Sequence, residues 1–155
     1  MFPGHLKEYE KMTADKVSLE LKNRMSELDF LCRILEEFCI SNALSKKSTF
    51  ELTLVMDEIF TNIVSYGYGD REDHHIIKID IKRVDKDLII RVEDDGVPFD
   101  PTAAGKPDMD CALEHRQIGG LGLHLINQLM NDIFYERTEN KNILIMKKSI
   151  SGINA

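Results

Sequence analysis

The sequence lacks any hydrophobic run that approaches the roughly 20 residues needed to cross a membrane. Residues 1–5 do not begin a signal-peptide pattern. The three cysteines form no CxxC motif, and their odd number argues against a disulfide framework or a zinc site. Free thiols are typical of a reducing compartment. We therefore expect a cytoplasmic protein that does not contact a membrane.

The sequence also lacks a concentration of basic residues. It has 20 Lys and Arg against 27 Asp and Glu, which gives a formal net charge of −7. Binding to a nucleic-acid backbone depends on clustered Lys and Arg side chains. The charge balance therefore argues against a direct nucleic-acid partner.

The bulk of the chain is ordinary for a globular domain. Its 155 residues are 43% hydrophobic and 30% charged, without an internal repeat or a low-complexity tract. This length favours one domain with a core that needs no disulfide or metal. We expect residues 1–15 to form a peripheral segment and residues 16–150 to form the single domain.

Hydrophobic periodicity predicts strands and helices in alternation. Residues alternate between apolar and polar at 17–22, 77–82 and 88–93, and a terminal hairpin is predicted from 133–137 and 143–147, joined through 139–142. Helices are predicted over 24–43, from a capping box at Ser48 to Gly67 or Gly69, and from about Leu121. The predicted fold class is α+β, a two-layer sandwich with an antiparallel or mixed sheet and helices on one face.

The second predicted helix carries two polar residues one turn apart. Glu58 and Asn62 are separated by four positions and therefore lie on one helical face. A glutamate can act as a general base, and an asparagine oxygen can bind a hard cation such as Mg²⁺. Taken alone, the pair is also typical of a solvated helix face.

An acidic residue ends the third predicted strand. Asp94 has the same parity as Leu88, Ile90 and Val92, so it continues their apolar face. A carboxylate at the edge of a core needs a partner, and the exocyclic amine of a purine is a suitable donor. Gly96 permits a close backbone approach or an unusual φ. The alternative is a turn aspartate before a glycine, whereas Asp95 has the opposite parity and should face solvent.

A glycine-rich turn opens the third predicted helix. It consists of Gly119, Gly120, Leu121 and Gly122. Exposed amides and the positive end of the helix dipole at such a turn favour phosphate groups. The alternative is a helix entry that packs closely on the sheet.

The order of these three motifs resembles the GHKL ATPase superfamily and its branch of anti-sigma-factor serine kinases, over roughly residues 15–148. Besides E-x-x-x-N at Glu58 and Asn62, the resemblance rests on the run from Asp94 to Pro101 and on the glycine-rich turn. It implies the Bergerat ATP-binding fold with a lid at about 101–118. It also implies that Glu58 is the catalytic base, that Asn62 ligates Mg²⁺ and that Asp94 binds adenine of ATP. The turn at Gly119, Gly120, Leu121 and Gly122 would hold the phosphates, and Gly96 would shape the adenine end.

The sequence departs from the wider pattern at two places. Pro98 stands where other superfamily members carry a second glycine, which favours the anti-sigma branch. No arginine immediately precedes the glycine-rich turn, and Arg116 is only a candidate for that role. The chain also has neither a P-loop nor the signatures of eukaryotic-type protein kinases.

Three functional hypotheses follow from the sequence. The resemblance implies a serine/threonine protein kinase acting on a small regulatory partner, a STAS-type anti-sigma antagonist. A sigma factor as second partner and a homodimer formed through the N-terminal strand edge are consistent with it. The alternative is a module that binds ATP and switches partners without phosphoryl transfer, since the arginine is missing. The third hypothesis is a structural domain in which the motifs are coincidental.

Overall fold

The fold is built on one six-stranded antiparallel sheet. The computed structural model describes residues 11–13, 15–67, 75–103 and 120–150. The strands are β1 (Lys11–Thr13), β2 (Lys16–Lys22), β3 (Ile76–Val84), β4 (Asp87–Asp94), β5 (Asp132–Thr138) and β6 (Lys141–Ser149). Their order across the sheet is β1-β2-β3-β4-β6-β5, so the last hairpin inserts β6 beside β4. The sheet is wholly antiparallel in the described residues, because every pairing has that direction.

Three helices of the described residues cover one face of this sheet. They are α1 (Leu28–Ser41), α2 (Lys46–Tyr66) and α3 (Gly120–Leu129), and short 3-10 turns occupy Met25–Glu27 and Pro101–Ala103. The predicted first helix therefore begins four residues later than expected, because a 3-10 turn precedes it. None of the described helices is both long and apolar enough to span a bilayer.

Strand parity places the core between the sheet and the helices. Alternate residues of the four central strands are buried, and those between them are half-buried or exposed on the other face. The buried sheet residues pack against apolar residues of the helices such as Leu35, Phe38 and Phe60. The expected α+β class with helices on one face is confirmed.

The capping-box prediction for α2 is wrong by one turn. The helix begins at Lys46, and its N-cap is Ser45, whose Oγ accepts a hydrogen bond from the Ser48 amide at 3.1 Å. Ser45 is an equally suitable N-cap, and its extended φ and ψ satisfy the geometry. The helix ends at Tyr66, followed by Gly67, as expected. Tyr66, the last residue of the helix, is 42% exposed.

The terminal hairpin and the edge of β2 also differ from what the sequence predicts. The hairpin turn consists of Glu139 and Asn140 alone, both with positive φ, so Asn142 belongs to β6 and not to the turn. The edge of the strand predicted at 17–22 is partly covered, because β1 pairs with residues 16–18. The edges of the described sheet are β1 and β5.

Candidate functional site

A largely apolar pocket opens where the end of α2 meets the end of β4. Its empty space, including the open mouth, is about 550 Å³. Asn62 and Asp94 are its polar side chains from α2 and β4, and the loop after β4 and the terminal hairpin complete the wall. The lining residues are Ile59, Asn62, Ile63, Tyr66, Gly67, Val92, Asp94, Val97, Phe99, Pro101, Tyr135, Asn142 and Leu144.

Asp94 lies at the buried end of β4, on the core face, as its parity predicts. Its side chain is 7% exposed, and Oδ1 accepts hydrogen bonds from the Gly96 amide at 2.9 Å and from Asn142 Nδ2 at 3.0 Å. Burial raises the pKa of the Asp94 carboxyl, and these two hydrogen bonds oppose that effect. Asp95 is exposed and pairs with His75 at 3.0 Å, so the two adjacent acids differ as expected.

Gly96 is required by a close backbone approach. A Cβ added there would lie 2.7 Å from the Gly67 carbonyl oxygen and 3.0 Å from Asp94 Oδ1. The same Gly67 carbonyl accepts a hydrogen bond from the Val97 amide at 2.9 Å. The glycine thus allows the loop after β4 to attach to the end of α2, which closes one side of the pocket.

The terminal hairpin contributes three residues that the sequence did not single out. Asn142 pairs with Asp94 in the β4–β6 register and is 5% exposed. Its Oδ1 accepts a hydrogen bond from the Tyr135 hydroxyl, and Arg137 donates to the Gly96 carbonyl at 2.6 Å. The signal that could have found Asn142 was its even spacing from Leu144 and Met146, which puts it on their face.

Asn62 presents a buried atom with unmet hydrogen-bonding capacity. Its Nδ2 is buried and has no hydrogen-bond partner in the part of the chain that the structure describes. No hydrogen bond therefore fixes this end of the amide, and a half-turn of the group exchanges its nitrogen and oxygen. A buried amide in a pocket wall without a protein partner fits a residue that ligates a metal or a ligand.

Glu58 and Gly122 bring α2 and α3 together beside the pocket. A Cβ added at Gly122 would overlap Glu58 Oε2 and lie 3.0 Å from its Cδ. The half-buried Glu58 carboxylate therefore lies against the first turn of α3, which begins at Gly120. The first amides of a helix have no partner within it and favour negative groups.

Some of the predicted residues cannot be placed. Gly119, Arg116 and positions 104–118 of the predicted lid lie outside the described residues, and Leu121 is placed only as a backbone position in α3. Within the described residues, no group of three or more His, Cys, Asp or Glu side chains could hold a metal ion. Cys32 and Cys39 are free thiols; Cys39 is buried, whereas Cys32 is only half-buried.

The fold and the pocket define a class of protein. It is that of α+β domains in which a strand-ending aspartate, Asp94, shares a pocket with Asn62 of the E-x-x-x-N helix, while the glycine-rich start of α3 contacts Glu58 of the same helix. The model of the histidine kinase-like ATPase domain family matches residues 21–148. The chain therefore belongs to this family, which establishes it as a nucleotide-binding domain.

Two curated relatives indicate which type of ATPase domain this chain is. The chain is 27% identical to an anti-sigma F factor of Clostridium novyi over 92% of its own length and 99% of the relative's. It is 30% identical to the serine/threonine-protein kinase BtrW of Bordetella bronchiseptica, over 72% of this chain and 78% of that one. The chain is thus an anti-sigma-factor-like kinase domain of its family.

A solved structure supports the fold. The RsbU and RsbW domains of a Mycobacterium tuberculosis protein align with a TM-score of 0.63 over 88% of this chain, at 12% identity. The chain spans only 33% of that two-domain polypeptide. This likeness concerns the architecture of the sheet and helices.

Proposed function

We propose that this protein is an ATP-dependent serine/threonine protein kinase that phosphorylates a small regulatory partner, a STAS-type anti-sigma antagonist. The observation that carries the proposal is the position of the Glu58 carboxylate. It lies against the first turn of α3, and Asn62, one turn along the same helix, lines the adjoining pocket with Asp94. The residues proposed as base, metal ligand and purine acceptor therefore lie on or beside the C-terminal half of α2.

The adenine moiety is assigned to the Asp94 end of the pocket. Apolar side chains such as Ile63, Val92 and Leu144 line the pocket there, which suits the apolar faces of a purine ring. The hydrogen bonds to Asp94 from described residues all go to Oδ1. Oδ2 can therefore accept a hydrogen bond from the exocyclic amine of the base.

The phosphates are assigned to the start of α3. The turn at Gly119–Gly122 offers amide groups and the positive end of the helix dipole. Residues 101–118 would form the lid over them, and its first part is already connected to α3, since Asn127 Nδ2 donates to the Pro101 carbonyl at 3.3 Å. Asn62 would hold Mg²⁺ through its amide oxygen. Its Nδ2 has no hydrogen-bond partner among the described residues, so no hydrogen bond at that end opposes rotation of the amide toward the metal ion. When bound, the metal ion would neutralise phosphate charge during transfer.

Glu58 is assigned the role of general base. It would accept the proton of a partner serine or threonine hydroxyl while that oxygen forms a bond to the γ-phosphorus. The bond between this phosphorus and the β–γ bridging oxygen breaks, and ADP leaves. Such transfer depends mainly on positioning and on electrostatic stabilisation.

The test is phosphoryl transfer from labelled ATP to a candidate partner, with Glu58→Gln as the variant. We expect wild type to label the partner, and Glu58→Gln to lose at least ~100-fold in rate while it still binds ATP. Asp57→Asn is the matched control, because the Asp57 carboxylate accepts a hydrogen bond from the Thr61 hydroxyl within the same helix. Equal labelling by wild type and Glu58→Gln would refute the base assignment.

A second candidate function is ATP-controlled partner binding without transfer. The absence of an arginine directly before the glycine-rich turn favours it, as does the similarity to an anti-sigma F factor. Nucleotide would then order residues 101–118 and change the affinity for a sigma factor or another regulator. A stoichiometric complex that depends on ATP but yields no phosphorylated product would select this function over the first.

The proposal extends to assembly and location. A homodimer would form through the β1 edge, since β1 is the N-terminal edge of the described sheet. The free thiols Cys32 and Cys39 fit a cytoplasmic protein. Sedimentation with and without residues 1–13 distinguishes a β1-dependent dimer from a monomer.

A further inference from the structure

We propose that Asn142 and Tyr135 are positioning residues that fix the Asp94 carboxylate so that the pocket recognises an exocyclic amine on the base. The inference rests on the proposed function, since it assumes that the purine lies against Asp94. It assigns a role in base recognition to the terminal hairpin, whose two side chains both line the pocket.

The orientation of the Asn142 amide is determined by its surroundings. Nδ2 faces three oxygen acceptors: Asp94 Oδ1 at 3.0 Å, the Val97 carbonyl at 2.8 Å and the Gly96 carbonyl at 3.5 Å. An amide oxygen in that place would repel all three acceptors. The Nδ2 group is thus directed to Asp94, and Oδ1 is directed to the hairpin partner.

Tyr135 fixes the other end of the same amide. Its hydroxyl donates to Asn142 Oδ1, and the hydroxyl oxygen accepts a hydrogen bond from the Phe99 amide at 3.3 Å. Because the tyrosine oxygen accepts a hydrogen bond from the Phe99 amide, its own hydroxyl proton can point to Asn142. A continuous chain of donors therefore runs from the Phe99 amide through Tyr135 and Asn142 to Asp94.

This chain leaves one oxygen of Asp94 for a ligand. Oδ1 receives both the Gly96 amide and Asn142 Nδ2. Both donors favour an ionised carboxylate, which can only accept hydrogen bonds. The pocket then favours a base edge that donates a proton and disfavours one that presents a carbonyl oxygen. Without Asn142, the carboxylate is free to rotate or to take up a proton, and either change weakens that preference.

The experiment compares ATP with purine riboside triphosphate, which lacks only the amino group, and with inosine triphosphate, which carries an oxygen in its place. Calorimetric titration with Mg²⁺ present gives the three affinities for wild type, Tyr135→Phe and Asn142→Leu. For wild type we expect ATP to bind roughly tenfold or more tightly than either analogue. In both variants we expect the preference to fall several-fold through loss of ATP affinity, with purine riboside triphosphate affinity unchanged.

Asn131→Leu is the matched control. Asn131 precedes β5 at the opposite end of the hairpin, where its Oδ1 accepts a hydrogen bond from the Ser149 amide at 2.7 Å. The Asn131→Leu substitution should weaken the hairpin, but the variant should keep the wild-type preference for ATP over the two analogues. Tyr135→Phe removes only a hydroxyl, so it retains the fold if Asn142→Leu does not.

Two results would overturn the inference. The first is that Tyr135→Phe prefers ATP over the two analogues as strongly as wild type does. The second is an equal loss of affinity for ATP and purine riboside triphosphate, which indicates general damage to the pocket. Failure of ATP binding, on which the proposed function depends, is distinguishable from both, because wild type would then bind none of the three nucleotides.

Discussion

Asp94 combines a position in the proposed binding site with an unfavourable burial. Its carboxyl lies at the pocket wall, and burial raises its pKa above the ordinary value of about 3.9. Ionisation is therefore less favourable in the folded chain than in the unfolded chain. The stabilising contribution of the carboxyl is fully present below its unfolded pKa and is lost as pH rises to the folded pKa. Retaining a charge here opposes stability, as is common at functional sites.

Asp94→Asn should raise the free energy of unfolding at pH 7. Asparagine keeps an oxygen for the Gly96 amide and Asn142 but removes the buried charge. The gain over wild type should be larger at pH 7 than at pH 4, because wild type loses stability as Asp94 ionises. Urea unfolding of both proteins at the two pH values measures this. A gain that is larger at pH 4 would contradict the assigned direction of the pKa shift.

Gly122→Ala separates stability from catalysis at the α2–α3 contact. The added Cβ would overlap Glu58 Oε2, the end of a flexible side chain that can move away. Alanine also improves helix propensity by about 0.8–1 kcal/mol, so the unfolding free energy should change by less than about 1 kcal/mol. The rate of partner phosphorylation should fall roughly tenfold or more as the base is displaced. An unchanged rate would mean that the Glu58 position is not critical.

At the scale of helices and strands, the local sequence pattern determines some features of the fold and not others. Alternation predicted the central strands, their buried faces and the burial of Asp94, because parity is a local property. The hairpin turn was predicted too long, and Asn142 was therefore missed. Its hydrogen bond to Asp94 joins residues 48 positions apart, and only the strand order reveals it. Likewise, the insertion of β6 beside β4 is a long-range pairing that periodicity does not encode.

The start of α2 gives an element-scale prediction. Ser45→Ala removes the side-chain acceptor of the Ser48 amide and should lower the free energy of unfolding by about 1 kcal/mol. Ser48→Ala, the N-cap expected from the sequence, serves as the control and should lower it by less than about half of that. Urea unfolding measures both. A larger loss in Ser48→Ala than in Ser45→Ala would contradict Ser45 as the N-cap and favour the capping box at Ser48.

At the scale of the whole molecule, Lys148 connects the sheet with two helices. It is 5% exposed on the core face of β6, and its Nζ donates to Glu51 Oε1 of α2 at 3.1 Å and to the Leu129 carbonyl at 3.2 Å. Leu129 ends α3, the helix whose first turn contacts Glu58. This buried cation therefore fixes the two helices of the site relative to the sheet.

Lys148→Met should lower the free energy of unfolding by roughly 2–4 kcal/mol, because it leaves Glu51 and a helix-terminal carbonyl without their donor. The adjacent Lys147→Met is the control. Its ion pairs to Asp87 and Asp132 are long, at 3.9 and 3.7 Å, and partly exposed, so it should cost less than about 1 kcal/mol. Equal effects in chemical unfolding would show that the buried connection contributes nothing.

The central claim is that ATP binds between α2, α3 and the end of β4, with Asp94 as the acceptor for the base. Calorimetric titration of Mg²⁺-ATP into wild type and Asp94→Asn tests it most directly. The account predicts one site per chain in wild type and an affinity at least roughly tenfold weaker in Asp94→Asn. Absence of binding to wild type at about 1 mM nucleotide, or equal affinity in the two proteins, would contradict it.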